Sequence, residues 1–213
     1  YTISATYKYK FAKRWNVRAS LSYARVSAAD SLNSGRQQRN LHFRSPIIEF
    51  SPLIEFYVLP ENFPSRVRWG RWMTNRKPKT NFSWYFASGI SIFYYDPQAE
   101  FQGNWYALRS LGTEGQGLDG SDPYSEVSIA IPAIMGFQIM VNQKWSFGFE
   151  TGLRYALTDY IDDVSTDYYD ADVLRAVNGP LAAALSDRNL TNRINEVGTA
   201  RGNPSNNDAY LFS

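Results

Sequence analysis

The stretch 146–158, SFGFETGLRYALT, decides the fold class. In an extended chain Phe147, Phe149, Thr151, Leu153, Tyr155 and Leu157 share one face, while Ser146, Gly148, Glu150, Gly152, Arg154, Ala156 and Thr158 share the other. A period of two is the strand period. One face is apolar and aromatic; the other is small, polar and charged with both signs. The same division recurs over 1–11, 15–26, 41–58, 82–96 and 124–141, and 208–213 opens a further stretch. Strands of this kind meet lipid on one side and a narrow polar lumen on the other, whereas a soluble barrel turns its apolar side chains inward. The fold class expected is all-β, an antiparallel transmembrane β-barrel.

A chain of 213 residues fits a single barrel domain over 1–213 with long loops. The mean hydropathy is −0.41, and no apolar run approaches the roughly 18 residues of a membrane helix. Low hydropathy suits a barrel, where only alternate residues meet lipid. The 15 Tyr, 13 Phe and 6 Trp are enough for interfacial girdles. Cysteine is absent, which excludes a disulfide framework and thiolate metal sites. Tyr1 already lies inside an alternating stretch, and DAYLF at 208–212 only begins one, so the first and last strands are expected to be missing or cut in this chain. With one strand implied at each end of the six clear ones, the expectation is eight strands and an interior filled by side chains.

Walking the chain, tight turns fall near 12–16 and 142–145, and polar or acidic loops at 29–40, 98–122 and 162–208. In 41–58 the apolar residues change parity: Leu41 and Phe43 are odd, while Ile48, Phe50, Ile54, Phe56 and Val58 are even. An extra residue near Pro46–Ile47 would explain this, so a β-bulge is expected there. Within 172–196 the helical spacing, broken at Gly179–Pro180, predicts one or two short helices. The inward faces place Lys8, Arg18, Arg44 and Arg154 against Glu49, Glu55, Glu126 and Glu150. Four positive and four negative groups can pair as a lumen network, where a lone charge would be costly. An open pore is therefore not expected.

Short turns lie in the periplasm and long loops outside in outer-membrane barrels. That rule puts 12–16, 142–145, the connector 60–80 and the termini on the periplasmic side. The periplasmic connections then sum to net +8 and the outer loops to net −6, although the whole chain carries only +2. The basic connector RVRWGRWMTNRKPK supplies Arg66, Arg68, Trp69, Arg71, Trp72, Arg76, Lys77 and Lys79. Clustered Arg and Trp are the residue types of interface hot spots, here for an acidic periplasmic partner; equally, they anchor a rim against anionic headgroups.

Little in the chain points to catalysis. His42 is the only histidine, on a strand with Arg44, and reads as hydrogen-bonded lumen filler. Nucleophile–base arrangements need partners that this chain lacks. The aspartates from 159 to 172 include a weak Ca²⁺ candidate, Asp162, Asp163 and Asp167, without the spacing of an EF-hand loop. The glycines of GTEGQG at 112–117 lack the strand–helix context and lysine of a phosphate loop. No cofactor, metal, nucleic acid or small-molecule substrate is expected.

Several segments, taken in order, carry a resemblance: SPIIEFSPLIEFYVL, YFASGISIFYYDPQAEF, LRSLGTEGQGL, YSEVSIAIPAIMGF and GLRYALTDYIDDVSTDYYD. They resemble the PorG-type outer-membrane proteins of Bacteroidota over nearly the whole chain, with LGTEGQG and TDYIDDVST the most distinctive pieces. The resemblance implies a non-enzymatic component of the type IX protein secretion machinery, a small barrel in the outer membrane of a Gram-negative bacterium. Its partners would be outer-membrane lipid and a periplasmic ring of PorK-type lipoprotein and PorN-type protein. Both distinctive pieces fall on the outer side, away from such a ring; they either fold back as a lid or serve a second partner, unless the strand parity is wrong. The competing functions are a small barrel enzyme acting on lipid or lipopolysaccharide, which would need His42 near one rim, and a narrow channel.

Overall fold

The computed structural model describes residues 2–30, 40–59, 82–141, 145–189, 195–203, 205 and 207–212. Ten strands among them form one antiparallel sheet. They are β1 (Thr2–Lys10), β2 (Trp15–Ala29), β3 (His42–Leu59), β4 (Phe82–Gly89), β5 (Ser91–Tyr95), β6 (Gln98–Phe101), β7 (Asn104–Ala107), β8 (Val127–Met140), β9 (Ser146–Ala156) and β10 (Ala209–Phe212). The main path runs β1-β2-β3-β4-β8-β9-β10; β5 continues β4 between β3 and β8, and the β6–β7 hairpin hangs on β3. Among the described residues, β1 pairs with β2 alone and β10 with β9 alone.

The alternation quoted above is the outside–inside division of this sheet. On β9, Phe147 is 70 % exposed and Leu153 50 %, while Arg154 and Ala156 are buried. Ile92, Tyr94, Ile129, Ile131 and Ile139 are likewise exposed, and Glu49, Glu55, Ser51 and Ser91 are buried. The apolar face looks out and the polar face looks in.

The sheet also curls. Arg18 on β2 bonds Glu150 on β9, and Tyr210 on β10 bonds Glu49 on β3. Each pair lies four places apart along the sheet path. A flat sheet would hold such strands roughly 19 Å apart at about 4.8 Å per strand, beyond the reach of the two side chains. The inward face must therefore be concave.

Two expectations for the strands need correction. Pairing of β2 with β3 is unbroken from Trp15↔Phe56 to Ala29↔His42, so there is no bulge at Pro46–Ile47. The irregularity lies instead between Tyr57 and Leu59, against β4. The parity of β3 never changes: Ser45, Ile47, Glu49, Ser51, Leu53, Glu55 and Tyr57 are all buried. What changes is the interior, which turns apolar towards the long-loop end. Leu41 is buried there and Phe43 packs against the core of Ile47, Phe93 and Tyr95.

The stretch 82–96 is two strands rather than one. Gly89 sits at the break, where a Cβ would lie 2.3 Å from the Pro52 carbonyl oxygen. Only glycine allows this close approach of β4 to β3. With the extra β6–β7 hairpin, this break raises the strand count above the eight expected.

The long excursion after β9 holds α1 (Ala171–Val177) and α2 (Pro180–Ser186). The Asp170 carboxylate caps α1 by accepting the backbone N–H groups of Asp172 and Val173, the role an N-cap acid performs. Pro180 opens α2 at a first-turn position, where its missing N–H costs nothing. Leu185 of α2 packs with Ala99 and Leu108 of the β6–β7 region, tying the helices to the end of the sheet.

Candidate functional site: a layered interior under a folded cap

Inside the curled sheet the polar groups fall into layers. Nearest the short turns, Glu55 receives Lys8 at 2.8 Å and Arg18 at 3.2 Å. Tyr57 Oη and Asn16 Nδ2 donate to its second oxygen. Arg18 also forks onto Glu150, at 2.6 and 3.1 Å, the bidentate geometry in which guanidinium and carboxylate bind best. Tyr85 Oη donates to Glu150 at 2.7 Å. Tyr85, Gly136 and Glu150 are register neighbours on β4, β8 and β9. The ring reaches Glu150 by lying across Gly136, where a Cβ would stand 2.3 Å from Cζ of the ring.

The second layer centres on Glu49. Ser51 Oγ donates to it at 2.6 Å and Tyr210 Oη at 2.8 Å, while Arg154 Nε lies at 3.5 Å. The Arg154 guanidinium also sits 4.2 Å from the centre of the Phe212 ring. A polar cavity of about 160 Å³ opens between these layers, lined by Thr6, Arg18, Ser20, Ser51, Glu150 and Arg154 among others. Above it comes an aromatic plug, in which Tyr95, Tyr124 and Tyr160 stack in sequence at 6.3 and 4.5 Å.

The long loops form a cap on the plug. Glu114, in LGTEGQG, accepts the backbone N–H groups of Ser165 and Thr166 at 3.0 Å each and the Thr166 hydroxyl at 2.8 Å. Arg201 Nη1 meets Glu114 at 3.1 Å, Thr113 Oγ1 at 2.9 Å and the Asp163 carbonyl at 2.8 Å. Asp163 accepts the hydroxyls of Thr113 and Tyr124. LGTEGQG and TDYIDDVST are thus bonded to each other across the end of the curled sheet, with Arg201 as the clasp.

Burial governs the acids here. It pushes Asp163 up to about 6 despite the Arg201 charge and the two hydroxyl donors. Burial likewise lifts Asp208 to about 6, and Asp159 to about 6 with help from the Asp208 and Glu114 charges. Asp162 is raised well above the usual carboxylate range by burial and the nearby Asp208.

Of the eight expected lumen charges, Lys8, Arg18, Glu55 and Glu150 form one group and Glu49 with Arg154 another. Arg44 and Glu126 belong to neither. With β3 parity unbroken, Arg44 faces outward, donates Nε to Gln98 Oε1 at 3.1 Å and stacks 3.8 Å from the centre of the Trp105 ring. Glu126 lies beyond the start of β8, half-exposed, 3.6 Å from Arg109. His42 shares the outward parity of Arg44 and is not lumen filler. The expected Ca²⁺ residues are not gathered: Asp163 is held by Thr113 and Tyr124, Asp162 accepts the Val164 N–H, and Asp167 makes a backbone bridge with Ala200. No three potential ligands stand together among the described residues. Arg66, Arg68, Trp69, Arg71, Trp72, Arg76, Lys77 and Lys79, the expected partner face, lie outside the described residues.

Sequence reasoning missed Tyr57, Tyr85 and Tyr210, which bring hydroxyls to the buried carboxylates. Their parity marks them as inward, but their aromatic character had been read only as girdle. Arg201 carried no periodic signal at all.

The family described as a domain of unknown function, DUF6089, matches residues 1–180. The chain belongs to that family. No curated protein and no solved structure matches it. The match takes in every strand of the DUF6089 sheet except β10, together with α1 and the Glu114 side of the cap, and ends before the Arg201 clasp.

Proposed function

We propose that this chain is an outer-membrane β-barrel with a closed lumen, which organises a periplasmic secretion assembly and has no catalysis of its own. The observation that carries the barrel reading is the inverted sheet: exposed Phe147, Phe149, Leu153 and Ile139 outside, paired Arg18, Glu55 and Glu150 inside. Exposing so large a contiguous apolar surface to water would be an aggregation hazard; facing lipid, it is the surface a barrel needs. Aromatic residues are exposed towards both ends of this band, as Trp145 and Tyr155 are on the β9 side, with Leu157 one step beyond. The two aromatics stand ten residues apart, roughly 33 Å along a strand. A strand tilt of about 40° reduces this to about 25 Å, the height of an outer-membrane apolar band.

The stacked tyrosines and the neutral pairing of lumen charges favour a closed barrel over a channel. His42, an acceptor for Arg188, is placed away from the buried carboxylates, which disfavours the enzyme reading. The link to type IX secretion rests on the sequence resemblance to PorG-type proteins. In that reading Arg66, Arg68, Arg71 and Arg76 dock an acidic face of a ring built from PorK-type and PorN-type proteins, and Lys77 and Lys79 follow them in the sequence.

The test is crosslinking mass spectrometry on the intact protein purified in detergent, beside a variant with Arg66, Arg68, Arg71 and Arg76 all changed to Glu. The reading expects crosslinks from Lys77 and Lys79 to periplasmic ring proteins, lost in a variant that still folds. Equal recovery of partners by both forms would reduce the connector to a membrane-interface anchor.

A further inference from the structure

The outward face of β3 changes character along its length. Ile54, Phe50 and Ile48 are each about half exposed, at 53, 49 and 49 %. Beyond them the same face carries Pro46, then Arg44, then His42. Ile48 pairs with Tyr94, one of the aromatic residues exposed towards the end of the apolar band. Arg44 lies four residues further, roughly 13 Å along the strand and about 10 Å along the barrel axis at the usual tilt. That is just outside the hydrocarbon, at the outer edge of the headgroup layer.

Two guanidinium groups stand at this level, Arg188 against His42 and Arg44 against Trp105, with no carboxylate paired to either among the described residues. Arg188, from the segment after α2, donates Nη2 to the His42 carbonyl at 3.0 Å, and its Nη1 lies 3.3 and 3.4 Å from the two ring nitrogens of His42. Its Nε is buried with no hydrogen-bond partner among the described residues. The His42 ring stands edge-on to Trp105, with centroids 6.3 Å apart, and Arg44 stacks on that same Trp105. Arg44 uses only Nε, towards Gln98.

No carboxylate among the described residues lies within 4 Å of either guanidinium. The acids nearby are otherwise engaged. Gln98 Nε2 donates to Asp96 at 2.8 Å, Asp187 accepts the N–H groups of Asn189 and Asn195, and Asp30 accepts that of Leu41. Asp30 and Asp163 act on Arg188 only as more distant charges, and burial together with Arg201 pulls Arg188 down to about 10. Even a half-buried cation held without a neighbouring carboxylate is costly unless an anion completes it.

Resting on the membrane-barrel reading above, we infer that Arg44 and Arg188, held apart by His42 and Trp105, bind the phosphate of an outer-leaflet lipid headgroup. The guanidinium fork matches phosphate oxygens in geometry and charge. The apolar strip of Ile48 and Phe50 directly below would carry the acyl chains of the same molecule.

The experiment uses the full chain folded in zwitterionic detergent, with retained lipid counted by native mass spectrometry. Phosphatidic acid is compared with the diacylglycerol that shares its tails, and with inorganic phosphate. The expected result is retention of phosphatidic acid at least tenfold above diacylglycerol, falling about tenfold in Arg44→Gln and further in Arg44→Gln with Arg188→Gln, the scale of one charge-assisted contact. Arg44→Gln alone carries the test if the double variant does not fold. Equal retention of the two lipids, or unchanged retention in Arg44→Gln, overturns the site. Inorganic phosphate competing as well as the lipid overturns the headgroup assignment in favour of a free anion. Reconstitution of the same protein into phosphatidylcholine vesicles separates the two readings. Failure to insert, seen as complete trypsin cleavage, sinks the membrane barrel and this site together; insertion without phosphate dependence sinks this site alone.

Discussion

Both the strand interior and the cap above it bury polar groups, but they neutralise them by different means. Inside the sheet, Lys8, Arg18 and Arg154 stand against Glu49, Glu55 and Glu150, and each of these carboxylates has a cation within 3.5 Å. In the cap, the single clasp Arg201 faces Glu114 and Asp163, while Asp159, Asp162 and Asp208 crowd nearby. The interior is balanced by pairing. The cap carries a surplus of carboxylates and holds it by raising their affinity for protons. The interior of the sheet should therefore respond to loss of one ionic partner, and the cap to pH.

The largest effect is expected from Arg18→Met. It removes the fork from Glu150 and one of the two cations from buried Glu55, and breaking such a pair costs about 3–5 kcal/mol. Urea unfolding of the detergent-folded protein measures it. Replacing the partner as well, in Arg18→Met with Glu150→Leu, should recover a large part, because two apolar groups leave less charge stranded. A double variant as unstable as the single one would mean that the interior does not work by pairing.

Gly136→Ala comes next. The new methyl group would overlap the Tyr85 ring and push its hydroxyl off Glu150, at about 2–3 kcal/mol for overpacking with a lost hydrogen bond. Trimming the ring, in Gly136→Ala with Tyr85→Ala, should cost less than the sum of the two single changes. Strict additivity would show that the ring does not cross Gly136.

A cap variant should leave the strands untouched. Glu114→Gln keeps one acceptor oxygen but loses the charge facing Arg201, costing on the order of 2 kcal/mol. Hydrogen exchange should speed up across 159–169 and 196–203 while β2, β3 and β9 keep their protection. If exchange rose equally in the strands, cap and sheet would be one cooperative unit.

The smallest effect follows pH. The Asp208 pKa in the fold is raised to about 6 from 3.8, so its protonated form favours the folded cap. Its stabilising contribution is complete below about 3.8 and is lost as pH rises through about 6. Cap protection should therefore be greater at the acid end of that window than at neutral pH. Asp208→Asn, which mimics the protonated acid, should stabilise the cap at neutral pH by on the order of 1 kcal/mol, and by less as the pH falls. Slower exchange with rising pH, after correction for intrinsic rates, would contradict this.

What could be read from the chain depended on how far the strand period extends. Along β2, β4, β8 and β9 the inside and outside residues follow directly from alternation. At the outer end of β3 the same reasoning misplaces Phe43 and Arg44. It assumes a polar interior throughout, whereas at that level the interior is the aromatic plug, so Phe43 belongs inside and Arg44 outside. The inferred bulge was a change of environment mistaken for a change of register. The cap was out of reach for a different reason. Thr113, Asp163 and Arg201 come from three loops separated by dozens of residues, and no periodicity links them. LGTEGQG and TDYIDDVST were singled out in the sequence, but nothing there showed that they bond to each other.

The tyrosine laid across Gly136 has a bearing on assembly. A shift of β8 by one residue against β4 or β9 would set Met135 or Phe137 beneath the ring instead of glycine. It would also turn every side chain of β8 to the wrong face. The Tyr85–Glu150 bond can close only when all three strands are aligned together, so it acts as a proofreading latch that admits a single alignment.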